Sequence, residues 1–189
     1  MRVLVLLVLS ACLLISGCGS MLAAMDVDTI EDDPGERTFG RMIEDNNVET
    51  KAIVNIHAAD EAYHETNVTV VSYNGYLLIA GQVPSETLKA RATTIARDIA
   101  GVRRIYNELE IAAPSSGMTR TSDTWITAKV KTVLLAKTET DGSRVKVVTE
   151  NGVVYLMGLV SSKEAKRISA ATADISGVQR VVQLFELID

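Results

Sequence analysis

The sequence contains one pattern of about 65 residues twice, and this duplication limits what the chain can fold into. The matching positions keep their chemistry, and the register slips by a single residue in two places, as changes of loop length would produce. Asp45, Val48, Lys51, Ala52 and Ile56 match Asp123, Ile126, Lys129, Val130 and Leu134, and Asn74-Gly75, Gly81 and Gly101 match Asn151-Gly152, Gly158 and Gly177. A repeat of this length is large enough for one modest core of its own. The duplication therefore predicts two small modules in tandem.

Each copy predicts the order helix, strand, strand, helix, strand. Aliphatic residues recur every four positions from Val48 to Ile56, and a second amphipathic stretch runs from Leu88 to Ile99. Asn74-Gly75 suits a two-residue hairpin turn, and Gly101 can end the second helix ahead of a strand at 104–110. In the second copy the corresponding elements are predicted as a helix near 125–136, strands near 144–149 and 153–160, a helix that runs through Ile175, and a last strand near 180–187. The predicted fold class is α+β: two tandem modules, each a three-stranded sheet with two helices packed on one face.

The N-terminus has the organisation of a bacterial lipoprotein signal. Arg2 is followed by the apolar run Val3–Ile15, which is shorter than the roughly 20 residues that span a bilayer. Ile15-Ser16-Gly17-Cys18 then fits a lipobox, so the sequence predicts a signal peptide at 1–17 and lipid attachment at Cys18. Ordinary signal cleavage near a chance cysteine is the alternative.

The predicted mature chain would be exported and would keep no free thiol, because Cys12 leaves with the signal peptide. Gly19 after the lipidated cysteine favours the outer membrane, with the protein facing the periplasm. The expected organisation is an acylated acidic tether at 18–44, a first module at 45–112, a linker at 113–121 and a second module at 122–189. Because the linker is short, some contact between the modules is expected.

Charge is divided unevenly along the predicted mature chain. Residues 19–44 hold two basic and seven acidic residues, and the first module holds six basic and nine acidic residues. The second module holds nine basic and eight acidic residues. Only the second module can approach an anionic surface without net repulsion, and each basic residue close to such a membrane contributes about 1 kcal/mol.

Trp125 indicates where a membrane contact would lie. On a helical projection it falls about 100° or more from the aliphatic side of its helix, beside lysines, and an indole in such a place is typical of membrane interfaces. The predicted lipid-binding residues are Trp125, Lys129, Lys131, Thr132 and Leu135. The alternative is that Trp125 packs against the neighbouring module or covers a sheet edge.

The sequence carries no recognisable catalytic pattern. His57 and His64 lie near Asp60, Glu61 and Glu65, but a solvated helix end explains this cluster better than a metal site. No Gly-x-Ser-x-Gly elbow or phosphate-binding glycine loop is found, and an acidic chain with few aromatic residues offers little to nucleic acid. We therefore predict no enzyme activity, catalytic residue, cofactor, metal, small-molecule substrate or nucleic-acid partner.

Several short motifs resemble the BON domain (bacterial OsmY and nodulation) family. The first copy carries the resemblance in Gly81-Gln-Val83, Gly101-Val102 and Ile105-Tyr-Asn-Glu-Leu109. The second copy carries it in Gly158-Leu-Val160 and Gly177-Val178 but has Gln183 at the position of Asn107. Nearly all of the predicted mature chain resembles the outer-membrane lipoproteins of this family that contain two such domains.

The resemblance implies a function that periodicity and composition do not show. It implies binding to anionic phospholipid membranes, accumulation at division sites and support of outer-membrane integrity. The alternative is an interaction adaptor for outer-membrane assembly proteins or for division-site regulators of cell-wall remodelling, with lipid contact secondary.

Overall fold

The computed structural model describes residues 33, 35–137 and 141–189. The predicted signal peptide, Cys18 and most of the predicted tether lie outside the described residues. The elements are helices α1 (Phe39–Ala59), α2 (Glu86–Arg97), α3 (Gly117–Ala136) and α4 (Ser162–Ala173), strands β1 (Asn67–Tyr73), β2 (Tyr76–Val83), β3 (Arg104–Ile111), β4 (Lys146–Glu150), β5 (Val153–Met157), β6 (Leu159–Val160), β7 (Arg180–Gln183) and β8 (Glu186–Leu187), and short 3-10 turns at Glu61–Glu65 and Gly142–Arg144.

The two modules share one topology, which confirms the predicted fold class. In module 1 the strand order is β1-β2-β3, with β1 antiparallel and β3 parallel to β2. In module 2 the order is β4-β5-β7, with the same directions, and short β6 and β8 continue the parallel pair. Aliphatic side chains of the two helices and the sheet form a separate core within each module.

A buried aspartate at the same place in each module fastens the first helix to the hairpin turn. Asp45 accepts hydrogen bonds from the backbone N–H groups of Asn74 and Gly75, both at 2.8 Å. Asp123 accepts the equivalent bonds from Asn151-Gly152, both at 2.9 Å. These bonds satisfy the turn donors, and those of Gly75 and Gly152 would otherwise be buried without a partner, so the repeated aspartates have a structural role.

The first helix of each module begins earlier than the aliphatic pattern suggested. Helix α1 begins at Phe39, within the segment predicted as tether, and α3 begins at Gly117, within the predicted linker. Thr38 and Ser116 cap these helices, because each side-chain hydroxyl accepts a backbone N–H of the first turn. The capping residue, not the first buried aliphatic residue, sets the start of each helix.

Two predicted strands of module 2 are each divided in two by an interruption. The second strand is interrupted at Gly158, and the last strand is interrupted at Leu184-Phe185.

In module 1 the Asn107 amide donates to the Lys89 carbonyl oxygen at 2.7 Å and ties β3 to α2. Gln183 replaces Asn107 in module 2, is exposed, and is the last residue of β7.

The second helix of module 2 was also predicted to extend too far. It was expected to run through Ile175, but α4 ends at Ala173. Asp174 caps α4 by donating its N–H to the Ala170 carbonyl oxygen at 3.3 Å. Ile175 therefore belongs to the connection that leads to β7.

The sheet faces that lie opposite the helices pack against each other, so the two modules form one compact unit. Residues of both sheets make a third apolar cluster, to which module 1 contributes Val71, Tyr73, Leu78 and Ala80 and module 2 contributes Val153, Tyr155, Met157, Leu159 and Leu184. Polar contacts at the rim join the modules further: Arg103 pairs with Glu186 at 2.7 Å, and the Asn67 amide donates to Glu150 at 2.8 Å. The expected contact between the modules is therefore a packed interface.

Candidate membrane-binding site

Helix α3 carries the candidate site on the face that its own core leaves outward. Its buried residues are Asp123, Ile126, Val130 and Leu134, which follow one another at intervals of three or four. Side chains at such intervals share one face of a helix. The opposite face, which includes Trp125, is turned away from the sheet.

The Trp125 indole lies on the protein surface, with 64 % of the residue exposed. It is not among the residues packed between the two sheets, so the alternative placement against module 1 is not observed. Leu135 is 63 % exposed, and Thr132 is exposed between them while its hydroxyl donates to the Ala128 carbonyl oxygen at 2.9 Å. Three of the five predicted lipid-binding residues therefore form an outward strip along α3.

Lys129 lies beside the indole and is partly held in place. Its Nζ is 5.6 Å from the centroid of the Trp125 ring, a cation–π distance, and 3.4 Å from the Ser176 carbonyl oxygen. An open groove of about 360 Å³ runs beside the pair and is lined by Trp125, Ala128, Lys129, Thr132, Val133 and Ile175. The arrangement places one ammonium group at the border of an apolar groove.

The structure does not bring all five predicted residues into this groove. Lys131 is exposed and lies about 120° around the helix from Trp125, on the opposite flank from Lys129. Leu135 lies further along the outward strip. Neither lysine forms an ion pair with any carboxylate among the described residues. Both positive charges are thus available to an anionic surface on either side of the indole.

Module 1 lacks the features that define this site. In the register of the repeat, Asn47 stands at the position of Trp125, Val54 at that of Thr132 and His57 at that of Leu135, while Lys51 matches Lys129. The two copies have the same fold, so these differences are not required by the sheet or the core. The aromatic group and the more basic charge balance occur together in module 2 only.

One part of the groove was not anticipated from the sequence. Ile175 and Ser176 reach α3 from the connection after α4. Ile175 is partly buried against the core of module 2, as its place on the aliphatic face predicted, and it also lines the groove. The available signal was Gly177, which in this structure has φ of 102° and follows the helix end closely. A helix that stops before Gly177 leaves Ile175 and Ser176 in the connection, from which they reach α3.

The histidine cluster of module 1 has structural partners. His57 Nδ1 lies 2.9 Å from the Ile53 carbonyl oxygen within α1. Asp60 accepts from the Ala62 N–H at 3.0 Å and pairs with Arg91 at 2.9 Å, so it fastens the end of α1 to α2. Within the described part of the chain, no group of three or more His, Cys, Asp or Glu side chains is arranged to hold a metal ion.

Among residues 33, 35–137 and 141–189, no helix combines the length and apolar character needed to cross a bilayer.

Comparison with known proteins identifies relatives along most of the chain. The family model described as the BON domain matches residues 45–113 and 122–189. The chain is 34 % identical to the outer membrane lipoprotein DolP of Haemophilus influenzae, over 97 % of this chain and 95 % of that protein. It is 31 % identical to the 21 kDa hemolysin of Actinobacillus pleuropneumoniae, over 80 % and 78 % of the two chains. It is 25 % identical to the osmotically-inducible protein Y of Escherichia coli, over 86 % and 85 %.

Proposed function

The chain belongs to the BON domain family, and from this we propose that it is an outer-membrane lipoprotein whose second module binds anionic phospholipid. The contact is made by the outward face of α3, and it supports envelope integrity at division sites. The name of the Haemophilus influenzae relative supports the outer-membrane location and the lipid anchor. The lipobox at Cys18 supports the same anchor, with the modules facing the periplasm.

The observation that carries the proposal is the exposed Trp125 ring next to the Lys129 ammonium group. An indole prefers the boundary between water and lipid, because the ring is apolar and its N–H needs a polar partner. Lys129 and Lys131 flank it, and each contributes about 1 kcal/mol toward an anionic surface. The apolar groove beside Trp125 gives lipid an adjoining surface that needs no polar partner.

The geometry suits a helix that lies along the membrane surface. Trp125 and Leu135 are separated by about 15 Å along the axis of α3, from the rise of 1.5 Å per residue. Both point away from the core, so both can enter the interface when the axis lies parallel to the membrane. The contact is small, but a lipidated Cys18 would make it intramolecular, which greatly raises the effective concentration of membrane.

The chain from Gly19 onward tests the proposal, because it retains the compact unit of residues 34–189 without the anchor. We expect it to sediment with vesicles of phosphatidylcholine and phosphatidylglycerol and not with vesicles of phosphatidylcholine alone. The chain contains a single Trp, so its fluorescence reports only on this site and should shift to shorter wavelength on binding. Trp125→Glu should weaken binding at least about tenfold, because it removes the indole and adds a negative charge.

Matched variants in module 1 separate the site from general surface effects. Phe39 is 74 % exposed on α1, so Phe39→Glu controls for Trp125→Glu. Lys51→Gln controls for Lys129→Gln, because the two lysines occupy equivalent positions of the repeat. Both control variants should bind as the unaltered chain does. Equal binding to neutral vesicles, or equal loss with the controls, would contradict a charged site on α3.

The adaptor function is separated from the lipid function in cells. The full lipoprotein carrying Trp125→Glu should lose its accumulation at division sites while remaining folded and membrane-anchored. Normal accumulation of this variant would favour recruitment by a protein partner instead. The division-site location follows from the family resemblance, so imaging of a fluorescent fusion tests it directly.

A further inference from the structure

Strand β4 is an edge strand whose outer side is open. It is the terminal strand of the order β4-β5-β7, and none of the described strands pairs with its other side. In an antiparallel pair, alternate residues direct their N–H and C=O groups toward the partner. Glu150 and Val153 close the hairpin, so Val147 and Thr149 direct their backbone groups outward. These groups are a template for another extended chain.

The open edge lies at the bottom of a groove with a volume of about 420 Å³. One wall is α3, through Arg120, Thr124 and Thr127, and the other wall is β1 of module 1, through Thr69 and Val71. Threonine side chains line both walls, and Thr127 donates its hydroxyl hydrogen to the Thr149 hydroxyl at 2.7 Å. A groove with an unpaired strand edge at its floor and hydroxyl groups on its walls fits an extended backbone.

The corresponding edge of module 1 is closed by a carboxylate. Ser72 matches Thr149 in the repeat, and its N–H donates to Glu49 Oε1 at 2.8 Å. Glu49 matches Thr127, which has no carboxylate to offer. The two copies therefore differ at one side chain. In module 1 Glu49 accepts an outward N–H of the edge strand, and in module 2 no carboxylate stands at the matching position.

Positive charge lies at both ends of the β4 groove. Arg120 is exposed near the hairpin end and forms no ion pair with a described residue. Lys146 begins the strand, is 40 % exposed through its side chain, and lies 3.9 Å from Glu49, at the limit of an ion pair. Asp123 and Glu150 also line the groove, but both are buried, and their carboxylates accept hydrogen bonds from Asn151-Gly152 and from Asn67 and Gln82. The exposed charges of the groove are therefore positive. A bound segment with carboxylates near its two ends would match these charges, whereas a basic segment would be repelled.

We propose that this groove binds an extended acidic peptide segment of another protein, which adds to β4 as a further strand. Backbone hydrogen bonds to Val147 and Thr149 supply the affinity, and Arg120 and Lys146 supply the preference for acidic residues. The site is separate from the lipid-binding face, because Trp125 does not line this groove and points away from the core. One molecule can therefore hold membrane and peptide together.

The test is an NMR titration of the ¹⁵N-labelled chain from Gly19 onward. The probe is an acetylated and amidated pentapeptide, Glu-Thr-Val-Thr-Glu, and the matched peptide is Lys-Thr-Val-Thr-Lys. We expect the acidic peptide to shift the amide signals of Val147 and Thr149 and to slow their hydrogen exchange. The basic peptide should bind about tenfold more weakly, because both of its ends meet positive charge.

Two variants locate the binding site, and a third distinguishes it from the lipid site. Thr127→Glu supplies the carboxylate that Glu49 supplies in module 1 and should weaken the acidic peptide about tenfold or more. Arg120→Glu lies on the surface and should abolish the preference for acidic ends. Trp125→Glu should leave peptide binding unchanged whether or not lipid binding survives. The dispersion of the amide spectrum confirms that each variant is folded.

Three outcomes would overturn the proposal. The first is an acidic peptide that causes no shift at Val147 and Thr149, or shifts the β3 or β7 edges instead. The second is a Thr127→Glu variant, shown to be folded, that binds the peptide as the unaltered chain does. The third is the same amide shifts on concentrating the chain without peptide, which would identify a second copy as the occupant.

Discussion

Replacing Leu78 by Ala tests the packing of the two sheets against each other. Leu77 and Leu78 are neighbours in β2, and both are fully buried, but they point to opposite faces of the sheet. Leu77 packs into the core of module 1, whereas Leu78 packs into the cluster shared with module 2. If the modules were independent, Leu78 would face water and Leu77 would not.

The structure gives the size of the expected effect. Truncating a fully buried leucine removes transfer free energy and leaves a cavity, at a cost of about 2–5 kcal/mol in the free energy of unfolding. A surface truncation usually changes it by less than about 0.5 kcal/mol. Leu78→Ala should therefore cost nearly as much as Leu77→Ala. For a chain of this size the loss corresponds to a fall in Tm of roughly 4–20 °C.

The assay is urea unfolding of the chain from Gly19 onward, followed by circular dichroism. Val54→Ala on the exposed face of α1 is the surface control and should be neutral. Leu78→Met preserves most of the volume and should cost less than about 1.5 kcal/mol. The reasoning would be refuted if Leu78→Ala matched Val54→Ala while Leu77→Ala cost several kcal/mol.

Two further predictions concern buried carboxylates. Burial raises the pKa of Glu150, so the charged form of this side chain is disfavoured in the fold. The protonated side chain contributes stability at low pH, and this contribution is lost as pH rises through the raised pKa. Glu150→Gln should therefore raise the Tm at neutral pH and flatten the dependence of Tm on pH in a pH series. Burial acts to raise the pKa of Asp45, but the donors Gly75 N–H and Arg37 outweigh it and lower the pKa, so stability should fall as pH falls through the lowered value. Asp45→Asn should cost about 3 kcal/mol in urea unfolding and remove that acid dependence. Asp123 forms no ion pair with a described residue, so Asp123→Asn should cost less. Equal losses would contradict the role of Arg37.

Most of the fold could be predicted because its signals are local. Aliphatic spacing marked the helices, Asn74-Gly75 and Asn151-Gly152 marked the hairpins, and the duplication showed that one architecture occurs twice. The position of Trp125 outside the aliphatic face of α3 needed only the geometry of a single helix. The bounds of the elements could not be predicted in the same way, because caps such as Thr38 and interruptions such as Gly158 depend on individual hydrogen bonds.

The sequence of β2 also indicates that its sheet is covered on both faces. From Leu77 to Ala80, strand β2 is apolar at four consecutive positions, which is typical of a strand buried on both faces. A single module covers only one face of its sheet with helices. The continuous apolar run thus implied a second covering surface, although not its identity.

The sequence by itself determined two α+β modules, the order of their elements and an outward tryptophan on the more basic one. Only the tertiary structure decided that the covering surface is the other sheet, that Ile175 completes the groove beside Trp125, and that Glu49 closes one strand edge while Thr127 leaves the other open. Each of these depends on residues that are distant along the chain. Periodicity within an element records which faces are apolar, but not which element meets them.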